Sequence, residues 1–269
     1  EIMKYLYGKD LAEFIIERQA KQVRALRQTW NVFPKLAIVM TGHNPVIETY
    51  VALKQRYGED ILVDVELFRV TQPGMIPLIK KLNHDSSVSG IIIQLPLENP
   101  SQTDEIVDAV APEKDVDALG KNAILDPATP MAINWLLSGY NVDLKNKHII
   151  IVGNGRLVGK PLAKMWANSG YDVKVLTQTD DLLPRLKQSD IIVTATGKPG
   201  LITSEMIPVG AVIIDAGVAS ENGETVGDVA KNVYERDDLT ITPQKGGVGP
   251  LTVSTLFDNV IRAARNCSS

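Results

Sequence analysis

Short, unbroken runs of Val, Ile and Leu recur along this chain, and most are followed by a longer segment of helical period. "KLAIVM" (35–40), "ILVDVELF" (61–68), "VSGIIIQLPL" (88–97), "HIIIVG" (148–153), "YDVKVLT" (171–177), "DIIVTAT" (190–196), "AVIIDAG" (211–217) and "LTITP" (239–243) read as strands. A strand with one wet face alternates apolar and polar residues. Continuous apolar runs mean both faces are covered, which is the mark of a parallel sheet flanked by helices. The intervening segments "LAEFIIERQAKQVRALRQTW", "NPVIETYVALKQRYG", "PGMIPLIKKLNHD", "QTDEIVDAV", "KPLAKMWANSG", a short stretch at 181–188 and "TVSTLFDNVIRAARN" read as helices. In the second of these, Asn44 is the expected N-cap, Pro45 fits the first turn, and Gly58 is the expected stop. The pattern predicts an α/β fold with largely parallel sheets, and 269 residues suffice for two domains. "MAINWLLSGYN" is expected to be a helix linking the halves, and polar "DLKNKH" (143–148) precedes the strand that opens the second. The expected partition is 1–140 plus a terminal helix (250–269) returning to it, and 141–249 as a Rossmann-like nucleotide-binding domain.

Charge and cysteine content remove several classes of function. Formal net charge is −4, which offers no basic footprint for nucleic acid. No apolar run approaches the roughly 20 residues needed to span a bilayer, and the N-terminal residues lack the order of a signal peptide, so a cytoplasmic location is expected. The single cysteine, Cys267, leaves no internal disulfide framework or multi-cysteine metal site, and no metal is expected.

Four stretches carry candidate chemistry. "GNGRLVGKP" (153–161) follows a strand and opens a helix, with Gly153, Gly155 and Gly159 spaced G-x-G-x-x-x-G. Such a turn lets backbone N–H groups and a helix N-terminus meet a phosphate, though a plain glycine turn has the same look. No acid stands at the position after the next strand where a ribose 2′-hydroxyl would be held; Asp180 and Asp181 come slightly late. Tyr50 and Lys54 share one helix face, near Val46, Val51 and Leu53. A lysine desolvated there has a lowered pKa suited to proton transfer, whereas a solvated one is a surface charge. Gln94 ends a strand at its carboxyl end, where open α/β sheets bind ligands or where an amide simply caps. Asp115 and Asp117 in "EKDVDALG" are ligand-binding acids or solvated turn residues. "TPQKGGVGPLT" (242–252) allows close backbone approach to a flat ligand, or forms a hinge.

In this order, "YGKDLA", "TYVALK", "GIIIQLPL", "EKDVD", "TP" (129–130), "VGNGRLVGKPLA", "ATGKPGLI", "GAVIIDAG", "VGDV" and "TPQKGGVGPLT" resemble the bifunctional methylenetetrahydrofolate dehydrogenase/cyclohydrolase family over nearly the whole chain. The resemblance implies oxidation of 5,10-methylenetetrahydrofolate to the methenyl form with NADP (NAD possible), then hydrolysis to 10-formyltetrahydrofolate. It further implies tetrahydrofolate derivatives as ligands, a place in one-carbon metabolism and purine biosynthesis, and a homodimer. Lys54, Tyr50 and Gln94 match the family's catalytic positions, Asp117 its pterin-binding aspartate, and Gly247, Gly249 and Pro250 the run bordering folate and nicotinamide. Gly153, Asn154, Gly155, Arg156, Gly159, Thr177, Thr196 and Gly197 fall on its cofactor side.

The chain departs from the family pattern at several places. Ile47 replaces a serine, Ala118 a glycine, Ala128 a cysteine after a shortened loop, and Asn154–Gly155 an arginine–serine. Leu176–Gln178 stand for Cys-His-Ser, and Gln244–Lys245 for Val-Pro. A diverged non-catalytic folate- or nucleotide-binding paralogue, or another two-domain NAD(P)-dependent oxidoreductase, are the rival readings.

Overall fold

The structure is a computed structural model describing residues 2–221 and 224–267. The chain runs β1 (Lys4–Tyr5), α1 (Gly8–Trp30), β2 (Lys35–Met40), α2 (Pro45–Ile61), β3 (Asp64–Arg69), α3 (Gln72–His84), β4 (Gly90–Ile93), α4 (Thr103–Asp108) and α5 (Ala128–Gly139). It continues as β5 (His148–Val152), α6 (Gly159–Asn168), β6 (Asp172–Leu176), α7 (Leu182–Leu186), β7 (Ile191–Thr194) and β8 (Val212–Asp215). An antiparallel pair, β9 (Ala219–Glu221) and β10 (Glu224–Val226), then β11 (Thr240–Ile241) and α8 (Val248–Asn266) complete it. No helix among the described residues is long and apolar enough to cross a membrane.

Two compact units divide these elements. One comprises Glu13–Ala128 and Val253–Ser269; the other comprises Glu1–Ala12 and Thr129–Thr252. These limits follow packing and fall inside α1, α5 and α8. The first unit holds a parallel three-stranded sheet in the order β3-β2-β4. The second holds a parallel six-stranded sheet in the order β1-β11-β8-β7-β5-β6. The α/β expectation therefore holds, including the return of the C-terminal helix to the first unit. The central strands are sealed on both faces: Leu36 to Val39 and Ile191 to Val193 are at most 1% exposed. Each such aliphatic side chain contributes roughly 1.5–3 kcal/mol of transfer free energy.

Helix α2 carries the candidate site. Asn44 caps it as expected, its side chain accepting from Val46 N (2.9 Å) and Ile47 N (3.3 Å), with Pro45 in the first turn. Gly58, expected as the stop, lies inside the helix. A Cβ there would stand 2.5 Å from Val65 Cγ2 and 2.8 Å from the Val63 carbonyl oxygen, so the glycine admits the close pass of β3. The helix ends instead at Leu62, in the left-handed region at φ 64°, and β3 begins at Asp64 rather than at Ile61. Val46 and Leu53, expected to make the Tyr50 face apolar, are solvent-exposed; the buried line of α2 is Ile47, Val51, Gly58 and Ile61.

Candidate active site

Lys54 falls on that buried line, one turn after Val51 and one before Gly58. Its ammonium therefore leaves the helix at the edge of the core and donates to Gln94 Oε1 at 2.8 Å. Gln94 is held from behind, because its N–H donates to the Val39 carbonyl at 2.9 Å and extends the β4–β2 ladder by one bond. Burial lowers the Lys54 pKa from its ordinary 10.5, and the Asp117 carboxylate partly opposes this. Burial likewise raises the Asp117 pKa, with Lys54 opposing. Both shifts share one cause, the removal of each charge from water, and each charge's field works against the other's shift. Lys54, Gln94 and Asp117 are thus brought together. Tyr50 stands one turn earlier on α2 and is 40% exposed.

The loop carrying Asp117 is rigidly fastened. Residue 115 bridges in parallel to Ile91, continuing the sheet beside β4. Asp115 is 3% exposed, so it is no solvated turn residue. Its carboxylate accepts from Gly120 N (2.8 Å) and Leu119 N (3.3 Å), and burial pushes its pKa up to about 6. Lys114 reaches away from the site to the carbonyls of Leu82 (3.0 Å) and Asp85 (2.7 Å), closing the end of α3. Asn259 of α8 donates to the Val116 (2.9 Å) and Asp126 (2.8 Å) carbonyls. Neither Asp115 nor Asn259 was legible as a clamp in the sequence. Ala118 adopts φ 55°, a conformation that costs a non-glycine residue roughly 1–2 kcal/mol. Ile47 is 7% exposed and packs into the core, so the hydroxyl of the family serine has no counterpart there.

In the other unit, the glycine loop follows β5. Gly153 turns the chain at φ 118°, and Gly159 opens α6 directly above its carbonyl. Asn154, Gly155 and Arg156 are exposed between them, and a Cβ on Gly155 would meet nothing within 4 Å. This is an open, backbone-lined approach to a helix N-terminus, which fits a phosphate. Thr196 and Gly197 form the turn after the adjacent strand β7, with Gly197 at φ 69°. Thr177 follows β6, but its N–H (2.6 Å) and hydroxyl (3.0 Å) are both taken by Asp180 Oδ2. Those bonds hold the Asp180 carboxyl below its ordinary range. Gly247, Gly249 and Pro250 lie at the start of α8, after the Gly246 turn at φ 83°. A Cβ on Gly8 would stand 1.8 Å from the Gly247 carbonyl oxygen, so the "YGKDLA" glycine admits that backbone.

Comparison with known proteins identifies the family of the chain. The family model for the tetrahydrofolate dehydrogenase/cyclohydrolase catalytic domain matches residues 6–117, and that for its NAD(P)-binding domain matches residues 127–268. The bifunctional protein FolD of Exiguobacterium sibiricum is 35% identical over 96% of this chain and 98% of its own length. Among solved structures, the bifunctional enzyme FolD of Campylobacter jejuni superposes with a TM-score of 0.92 at 34% identity, covering 98% of this chain and 99% of that one. The Trypanosoma brucei methylenetetrahydrofolate dehydrogenase-cyclohydrolase, solved with NADP cofactor and inhibitor, gives a TM-score of 0.92 at 28% identity, covering 99% and 98%. The chain belongs to the tetrahydrofolate dehydrogenase/cyclohydrolase family.

Proposed function

We propose that this chain oxidises 5,10-methylenetetrahydrofolate to 5,10-methenyltetrahydrofolate with NADP and hydrolyses the methenyl form to 10-formyltetrahydrofolate. The observation that carries the reading is the part-buried Lys54–Gln94 pair beside Asp117, at the carboxyl ends of the sheet strands. When bound, the nicotinamide accepts the hydride that leaves the methylene bridge. The protein's part in that step is alignment of two flat ligands, more than proton removal. The methenyl product is a delocalised cation. Water adds to its bridging carbon, the adduct loses one proton, and the remaining hydroxyl proton passes to the departing folate nitrogen as its bond to that carbon opens, leaving a formyl group on the other nitrogen. A charged ammonium would repel the cation, so binding adds to the burial that already favours neutral Lys54. Neutral Lys54 donates to Gln94 Oε1 and keeps its lone pair for the water-derived proton. Tyr50 lines the same face of α2. An assay following NADPH formation from methylenetetrahydrofolate, and methenyl consumption without nucleotide, tests the reading. Absence of both activities overturns it.

Asp117 is assigned to the pterin, its carboxylate accepting two N–H bonds from the amino-pyrimidine edge. Asp117→Ala should weaken folate affinity by roughly 1–3 kcal/mol, about five- to 150-fold in Kd. Titration of the variant with unchanged affinity would reduce Asp117 to a loop residue.

For the cofactor, the backbone of residues 153–159 and the α6 N-terminus are assigned to the phosphates, with Gly197 and Thr196 flanking. Arg156 takes over the phosphate role that Asn154 cannot fill, since a guanidinium makes bidentate contacts with a phosphate. Arg156→Ala should therefore raise KM for NADP far more than for NAD. Equal effects on the two nucleotides would remove Arg156 from the 2′-phosphate.

The protein is further read as a cytoplasmic homodimer. Family membership motivates this, and β1 and β6 are the outer strands of the six-stranded sheet. Sedimentation at micromolar concentration should give twice the chain mass, and a monomer there contradicts it.

A further inference from the structure

Thr194 ends β7 and Asp215 ends β8, and the two stand opposite each other in register. Beyond them lies the Asp228 carboxylate. Asp228 is 0% exposed. Its Oδ2 accepts from the Thr194 hydroxyl (2.5 Å), the Thr196 N–H (2.7 Å) and the Thr196 hydroxyl (2.8 Å), and its Oδ1 accepts from the Lys198 N–H (3.1 Å). All four donors are neutral, and all four belong to the stretch 194–198. Asp215 then fixes the backbone on both sides of Asp228. Its Oδ1 accepts from Gly217 N (3.0 Å) and Asp228 N (3.1 Å), and its Oδ2 accepts from Val229 N (3.0 Å).

Two glycines interlock the pair. A Cβ on Gly217 would lie 2.1 Å from Asp228 Oδ1, and one on Gly227 would lie 2.1 Å from Asp215 Oδ2. Each glycine thus clears room for the other segment's carboxylate. Burying two acids side by side is costly, and burial together with the Asp228 charge pushes the Asp215 pKa up to about 6. The arrangement gives the chain a turn with both hydroxyls and two N–H groups tied to one internal point. That turn in turn seats the glycine loop, because a Cβ on Gly153 would meet the Ala195 carbonyl oxygen at 2.6 Å.

We propose that Asp228, backed by Asp215, is a positioning residue for the nicotinamide cofactor: it holds the Thr194–Lys198 turn, and through the Ala195 carbonyl the Gly153 turn, in the shape that receives the nucleotide. The inference rests on the assignment of these two turns to the cofactor. Asp228 touches no ligand itself; it replaces the ordering that the cofactor would otherwise have to impose on binding.

Asp228→Asn tests this, since it keeps the shape and sets an NH2 group against hydrogen-bond donors. Its Kd for NADP by calorimetric titration, and KM for NADP in the oxidation, should rise about tenfold or more, as for a lost buried charged bond. Oxidation kcat at saturating NADP and nucleotide-free hydrolysis of the methenyl form should stay within about twofold of the parent, inside the spread of a surface change. Thr194→Val is the second variant: it removes one buried donor and no surface group, and should shift NADP affinity in the same direction. If Asp228→Asn loses hydrolysis together with its thermal transition, Thr194→Val alone decides. Unchanged NADP affinity in the folded variant, or a fall in kcat at unchanged affinity, overturns the proposal. A parent protein that neither oxidises methylenetetrahydrofolate nor binds NADP would instead overturn the cofactor assignment beneath it.

Discussion

Lys54→Met should lower methenyltetrahydrofolate hydrolysis by about 10²–10⁴-fold, the range a positioned proton-transfer group contributes. Methionine keeps the unbranched stem on the line between Val51 and Gly58, so the thermal transition should move little. The parent's pH profile is part of the expectation. Burial lowers the Lys54 pKa, so the neutral form is populated below pH 10.5 and lost as pH falls through the depressed value. Hydrolysis in the parent should climb with pH and level off below the ordinary lysine range, and the variant should show no such limb. Parent-like hydrolysis in a folded variant would remove Lys54 from the chemistry. NADP-dependent oxidation needs no base at this position, so a smaller loss is expected there and reports alignment alone.

Gly159→Ala is expected to have the second largest effect. The added Cβ would lie 2.0 Å from the Gly153 carbonyl oxygen, 2.6 Å from its carbon and 3.2 Å from Asn154 N. All three are backbone atoms, so no side chain can swing aside. Either the first turn of α6 moves outward or the Gly153 turn opens, at about 3 kcal/mol, the upper end for overpacking. A displacement near 1 Å in a reactant-positioning loop costs about 10²-fold in rate. The variant should therefore lose most NADP-dependent oxidation while methenyl hydrolysis persists. Oxidation constants matching the parent would show that the loop does not position the cofactor.

The alternation of strands and helices is readable because parallel strands covered on both faces must be aliphatic along their buried length, as residues 149–152 and 191–193 are. The boundary between α2 and β3 departs from the sequence expectation for a specific reason. A glycine near a helix end usually signals termination, but Gly58 serves the neighbouring strand, and Leu62 takes the left-handed position instead. Lys54 and Gln94 could be paired in advance only through the family pattern, since they are 40 residues apart in sequence. Asp115, Asp228 and Asn259 left no periodic signal. Each acts on groups brought near by the fold, and a polar letter looks the same whether its side chain faces water or a set of buried hydrogen-bond partners. Ile47 makes the converse point: its apolar letter fits the buried line of α2, so the departure from the family serine extends the core.

The unit built on the three-stranded sheet is interrupted in sequence at Ala128 and resumes at Val253. The Thr255 hydroxyl donates to the Ala128 carbonyl at 2.7 Å, and the hydroxyls of Thr129 and Thr252 meet at 3.4 Å. The chain therefore departs and returns through the same doorway. Residues 129–252, to whose sheet the N-terminal residues 1–12 add β1, have the layout of a guest inserted into a host: the ends meet, as they do in segments that tolerate transplantation. The exposed residues 154–156 of its glycine loop could change and drift in nucleotide preference, with the host's contacts around Lys54 left intact. A lineage could retune the electron carrier by editing one contiguous stretch of gene.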